Sequence, residues 1–240
     1  MVFQAMDPAR RCENRGMQRT YVLIPGAGGT AQYWYRVAPI LTDAGHRVAP
    51  LDLPNWPGAT LADQAEAIVA AGAGADAVVL VAQSMGGFSA PLACDRLPTS
   101  HLFLVNAMIP VPGETPGQWW DNTGQSEAMR SHDVTEGRDP DAGFDLYTYF
   151  LHDLPPDVIE KITSGGDQEP ADSLFSSVYD LSRWPGVPTT VLAARDDRFF
   201  PYEFQHRVAR ERLSVIAEQV AGGHLCALSQ PEELADRLLR

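Results

Sequence analysis

Ala82-Gln83-Ser84-Met85-Gly86-Gly87 follows the apolar run Ala77-Val78-Val79-Leu80-Val81 and opens a stretch of helical character over 85–96. A serine at such a strand-to-helix junction decides how the rest of the chain reads. The stretch is a near match to the nucleophile turn G-x-S-x-G, with Ala82 in place of the first glycine. The chemistry requires small residues two before and two after the serine, because strand and helix approach closely at a turn that holds the hydroxyl out in a strained conformation. Ala82 and Gly86 meet that requirement. The same turn aims the first N–H groups of the helix, that of Met85 foremost, at whatever sits beside Ser84, where they stabilise developing negative charge. The competing reading is an ordinary Ser-Gly helix start without chemistry.

Outward from this junction, strand-like runs fall at 20–24, 47–51, 77–82, 101–106, 189–194 and 214–220, and helical patterns at 31–44, 60–72, 85–96, 202–212 and 231–240. Their alternation is the signature of an α/β fold, a mostly parallel sheet of about six strands flanked by helices. Thr60 reads as the cap of the second helix, and Gly45 and Gly72 as stops after the first two. One interruption runs from Pro110 to Gly186, far longer than the roughly 2–6 residues that usually join elements of an α/β unit. Pro110, Pro112, Gly113 and Pro116 open it, and Pro185, Gly186 and Pro188 close it. The expected organisation is a core from 19–111 and 187–240, a helical cap insertion at 112–186, and a disordered arm at 1–18. The insertion carries 15 acidic and 4 basic residues, most of them expected on a solvated outer face. Its aromatics are expected mainly to pack it onto the sheet domain, with a few lining a pocket.

Three further stretches complete a chemical constellation. Pro25-Gly26-Ala27-Gly28-Gly29 turns after the first strand and offers a second backbone donor, Ala27 N–H, to pair with Met85 N–H as an oxyanion hole. A rival reading takes Gly26-x-Gly28-x-x-Ala31 as a dinucleotide fingerprint, with Asp52 standing 24 residues after Gly28 as the ribose acid. It leaves both the serine turn and the C-terminal histidine unexplained. That histidine is His224, on Ala221-Gly222-Gly223 after the last strand and free to reach sideways as a general base must. The other five histidines have ordinary structural or exposed readings. Arg195-Asp196-Asp197-Arg198 follows the fifth strand, and either aspartate can supply the carboxylate that holds an imidazole in one tautomer.

Residues 20–240 resemble the α/β-hydrolase superfamily, and within it the small-esterase branch that includes plant methyl-ester esterases and hydroxynitrile lyases. The likeness is carried by Leu51-Asp52-Leu53-Pro54, Gln83-Ser84-Met85-Gly86-Gly87, Leu104-Val105-Asn106-Ala107-Met108-Ile109-Pro110, Asp197 to Gln205, and Gly222-Gly223-His224. It implies an α/β-hydrolase fold and a Ser-Asp-His order. The acid stands six positions before the Glu of a Pro-x-Glu-Phe-Gln stretch, which from Glu203 gives Asp197 and leaves Asp196 spare. Hydroxynitrile lyases carry a lysine directly after the histidine. Here Leu225 stands there and Lys161 is the only lysine, which disfavours cyanohydrin cleavage. Pro25 also replaces a frequent histidine of the first loop.

The expectation is a serine hydrolase that cleaves a carboxylic ester, thioester or lactone of a small, largely apolar substrate. Ser84, His224 and Asp197 are its catalytic groups, Ala27 and Met85 its oxyanion donors, and Gly26, Gly28, Trp119, Trp120 and Tyr147 its substrate contacts. Lyase, cyclase or C–C cleavage on the same scaffold is the alternative. Neither a metal nor an organic cofactor is expected, since Cys12, Cys94 and Cys226 fall in no ligand spacing. Across 240 residues a net charge of -13 opposes nucleic acid or an anionic membrane as a partner. No apolar run approaches the roughly 18–20 residues of a membrane span. Residues 1–18 hold Arg10, Arg11 and Arg15 with no apolar stretch after them, so a cytoplasmic location is expected.

Overall fold

Successive side chains of a strand point to opposite faces, and strands buried on both faces need apolar residues at nearly every position. Tyr21 to Ile24 and Val78 to Ala82 satisfy this, and all of them are enclosed. The computed structural model describes residues 18–164 and 169–240; residues 1–17 of the expected disordered arm at 1–18, Cys12 among them, lie outside the described residues. Six strands, β1 (Thr20–Ile24), β2 (Arg47–Pro50), β3 (Val78–Gln83), β4 (Thr99–Val105), β5 (Thr189–Ala194) and β6 (Glu218–Val220), form one parallel sheet in the order β2-β1-β3-β4-β5-β6.

Helices close both faces. Val22, Ile24, Leu80, Ala82 and Leu104 meet α2 (Leu61–Gly72), α3 (Gly86–Cys94) and α8 (Tyr202–Leu213). Leu23, Val79, Val81 and Val105 meet α1 (Val37–Asp43), α9 (Cys226–Ser229) and α10 (Pro231–Leu238). Thr60 caps α2 as expected: its hydroxyl accepts the Asp63 N–H, and the Asp63 carboxylate accepts the Thr60 N–H.

Beyond shifts of one or two residues at other element ends, three readings differ from expectation. The helix drawn at 31–44 is a 3₁₀ turn, Ala31–Trp34, followed by α1. Pro39 explains the break, since proline has no N–H and tolerates only the first turn of a helix. Gly45 does follow α1 with φ +94°, but Gly72 is the last helical residue of α2 and the left-handed turn belongs to Gly74, φ +73°. The strand drawn at 214–220 begins only at Glu218, because Ser214 ends α8 at φ +58° and Ile216 is 76% exposed.

The segment between β4 and β5 contains α4 (Pro116–Thr123), α5 (Gln125–Thr135), a π-helical turn (Tyr147–Leu151), α6 (Pro156–Thr163) and α7 (Asp172–Ser176). Two of its acids lie inside the protein. Glu114 accepts from Arg212 of α8 and from Asn122 Nδ2. Asp133 accepts from Arg138 Nε at 2.6 Å and from the Tyr149 hydroxyl at 2.7 Å. Burial and the Asp133 carboxylate push that hydroxyl up to about 12, so it remains a donor. Among the described residues no helix is long and apolar enough to cross a membrane.

Three substitutions test this packing. A methyl on Gly87 would fall 2.0 Å from the Met108 carbonyl oxygen, whereas one on Gly186 meets open space. In urea denaturation Gly87→Ala is expected to cost about 3 kcal/mol or more and Gly186→Ala about 0.5 kcal/mol or less. Glu114→Ala would strand the Arg212 side chain, which is only 10% exposed. The expected loss is about 3 kcal/mol, read the same way.

Candidate active site

Ser84 is the first residue of the two-residue turn between β3 and α3 and has φ +50°, a left-handed conformation that a side-chain-bearing residue adopts at a cost. Its N–H donates to the Val105 carbonyl at 3.3 Å, and its carbonyl accepts from Met108 N–H at 2.9 Å and Gly87 N–H at 3.1 Å. The turn closes because its neighbours lack side chains. A methyl on Gly86 would stand 2.7 Å from the Pro25 carbonyl oxygen, and one on Gly26 2.7 Å from Ser84 Cβ. Gly26 therefore brings the first loop directly against the serine.

His224, on the loop after β6, and Asp197, on the loop after β5, reach the same rim. His224 Nε2 lies 3.2 Å from Ser84 Oγ, and Nδ1 lies 2.8 Å from Asp197 Oδ2. A carboxylate only accepts, so the proton between them sits on Nδ1 and leaves Nε2 to accept from the serine hydroxyl. Asp197 is fully enclosed. Its other oxygen, Oδ1, accepts the N–H groups of Phe199 at 2.9 Å and Phe200 at 2.8 Å, and the Gln205 amide approaches Oδ2 at 3.4 Å. Asp196 is instead paired with Arg195 beside it, and that hydrogen bond holds its carboxyl below the usual range.

Three phenyl rings enclose the imidazole. Phe150 lies parallel to it at 4.8 Å, while Phe199 at 5.4 Å and Phe200 at 5.0 Å meet it edge to face. Trp120 packs on Phe199 and Phe200. Trp119 is one ring further away, fully enclosed against Phe200, with its indole N–H donated to the Ile109 carbonyl. That position makes it a support beneath Phe200 rather than a surface open to a ligand. Tyr147 is 61% exposed. Ala27 is exposed at the first loop and Met85 enclosed at the start of α3, and among the described residues no carbonyl accepts from either N–H. Gly28 takes φ +64° in that loop. Asp52, the acid of the dinucleotide reading, accepts the Ala31 N–H at 2.8 Å.

Two polar residues that the sequence did not single out for the site also lie here. Asn106 is wholly buried with φ +45°; its Nδ2 donates to the carbonyls of Gly223 and His224, both at 3.1 Å, and its Oδ1 accepts the Ala194 N–H at 2.7 Å. It binds the ends of β4 and β5 to the histidine loop. A polar residue ending the apolar run Leu102-Phe103-Leu104-Val105 at a strand's C-terminal edge is the signal that points to it. His152, read as ordinary, lies against the backbone of Gly223. Burial, with the Arg198 guanidinium nearby, holds its imidazole below the usual value.

Residues 21–237 match a family described as "Alpha/beta hydrolase family". Norfluorocurarine synthase 1 of a Strychnos species is 26% identical over 92% of this chain and 94% of its own length. Polyneuridine aldehyde esterase of Rauvolfia serpentina is 25% identical over 94% of this chain and 96% of its own. The crystal structure of polyneuridine aldehyde esterase superposes with a TM-score of 0.74 at 21% identity, covering 92% of this chain and 98% of that one, a likeness of fold. With this family match running from β1 into α10 over the parallel sheet, the chain belongs to the alpha/beta hydrolase family.

Proposed function

We propose that this protein is a serine hydrolase that cleaves a carboxylic ester of a small, largely apolar substrate. The observation that carries the reading is the continuous line of hydrogen-bonding groups from Ser84 Oγ through His224 to the buried Asp197, at 3.2 and 2.8 Å. In this mechanism the serine oxygen attacks the ester carbonyl while Nε2 takes its proton, and Asp197 stabilises the imidazolium. The N–H groups of Ala27 and Met85 receive the oxyanion. Nε2 then protonates the departing alkoxide, and water repeats the sequence on the acyl-serine to release the acid. These steps call for neither a metal nor an organic cofactor, and the enzyme is read as cytoplasmic.

Residues 112–186 serve in this reading as a cap on the core of 19–111 and 187–240. From the cap, Phe150 and Trp120 join Phe199 in presenting aromatic walls beside the imidazole, a surface that favours an apolar acyl or alcohol group. Gly26 borders the serine, Gly28 turns the same loop two residues on, and Tyr147 stands at the exposed margin of the cap. Esterase-named relatives spanning nearly the whole chain support ester chemistry. A synthase among the relatives favours a second reading, in which the same three side chains drive a lyase, cyclase or C–C cleavage reaction.

Two sets of measurements test the proposal. Ser84→Ala is expected to lower turnover of p-nitrophenyl butyrate by about 10⁴- to 10⁶-fold, and a fluorophosphonate is expected to label the wild type stoichiometrically at Ser84. Near-full activity in the variant would remove Ser84 as nucleophile. In the second, neutral and carboxylate-bearing p-nitrophenyl esters are compared across ionic strength. A preference for the neutral ester unchanged by salt is expected, and assigns selectivity to the aromatic walls; a preference that fades with salt assigns it to the acidic cap.

A further inference from the structure

A histidine that follows two glycines sits on backbone with much freedom to lose, because glycine gives up more conformational entropy on ordering than any other residue. Gly222 takes φ +91° and Gly223 carries no side chain, yet the imidazole must hold one position within hydrogen-bond reach of Ser84. From the core side, Asn106 grips the carbonyls of Gly223 and His224. The one remaining polar group of Gly223, its N–H, points the other way, toward the segment between β4 and β5. There Asp153 Oδ2 accepts it at 2.6 Å, a length typical of the stronger hydrogen bonds made to carboxylates.

The approach is close because position 223 is bare. A methyl there would stand 2.8 Å from His152 Nε2 and 3.0 Å from Asp153 Oδ1. Asp153 arrives at the end of the π-helical turn Tyr147–Leu151, a geometry that recurs at functional sites. The same turn lays Phe150 parallel to the imidazole at 4.8 Å, and its Thr148 carbonyl accepts from Arg198 Nη1 at 3.1 Å, beside Asp197. One short segment therefore touches the base through its ring, its backbone and the neighbouring acid loop.

We infer that Asp153 is a positioning residue for the general base: by accepting the Gly223 N–H it fixes the His224 loop, so the base is in register with Ser84 only while the segment carrying Asp153 is seated on the core. This rests on the serine-hydrolase reading above. A segment that merely covered the site would alter how substrate binds. One that holds the base alters the chemical step, because small displacements of a catalytic group cost disproportionately in rate.

The test compares Asp153→Ala, which removes the acceptor, with Asp153→Asn, whose amide oxygen keeps it. For Asp153→Ala the expected result is a kcat for p-nitrophenyl butyrate lowered about 10- to 100-fold, with KM within about twofold of wild type. Fluorophosphonate labelling should slow to the same extent and still reach wild-type stoichiometry, which reports a folded site. Asp153→Asn should return both rates to within about threefold of wild type. Should the alanine variant fail to reach full labelling, Asp153→Leu, which fills the volume without an acceptor, takes its place. Wild-type rates without the acceptor, a loss confined to KM, or an asparagine variant no better than alanine would each overturn the inference. A wild type that takes no label at Ser84 overturns the serine-hydrolase reading, and this inference with it.

Discussion

Ser84 occupies a backbone conformation that L-residues avoid, and much of the molecule is arranged to keep it there. The strain, of order 1–2 kcal/mol for a residue of this kind, is offset by hydrogen bonds to Val105, Met108 and Gly87 and by the bare surfaces of Gly26, Gly86 and Gly87. Held at φ +50°, the serine projects from the C-terminal edge of β3, where loops from β1, β5 and β6 converge. The parallel arrangement of the strands makes this convergence available: all their C-terminal ends share one rim, so residues far apart in sequence meet without any long excursion of the core.

The sheet was legible because both signals it gives are local. Enclosed strands read as unbroken apolar runs, and turn formers mark the gaps; β1 and β5 match their expected limits residue for residue. What was not legible was the true start of β6. Ser-Val-Ile-Ala-Glu-Gln-Val has the composition of an edge strand, but Ser214 first has to close α8 in a left-handed turn, and that demand consumes half the run. Likewise the break inside the first helical stretch comes from the ring of Pro39, a steric effect that apolar periodicity does not register.

At the rim, Ser84 and His224 were readable from spacing, since each lies in a small-residue turn directly after a strand. Asp197 was readable only to within one position, with resemblance favouring it over Asp196; the structure puts Asp197 inside against His224 and Asp196 outside against Arg195. Asn106 is marked in the sequence only as a polar residue at the end of an apolar run, with nothing to say what it binds. Asp153 carries no motif, and one acid among many in an acidic segment gains meaning only from what folding sets beside it. The acidic charge also divides in a way composition does not reveal: Glu114 and Asp133 lie inside, bonded to arginines, while Asp139 and Asp141 remain at the surface.

The parallel pairing of β4 with β5 carries a consequence for how such a chain can change over generations. The polypeptide leaves β4 at the rim that holds Ser84 and must enter β5 at the opposite edge, so everything between them is also the return path. Its last stretch runs back alongside its first, Tyr179 exchanging hydrogen bonds with Gly113 and Glu114. Parallel neighbours need a crossing of a dozen residues or more, roughly, and never a tight hairpin. Loops along the return can be lengthened or rewritten, but the path itself cannot be excised to a tight turn without parting the two strands it joins. Ancestry is free to redecorate this connection and not to discard it.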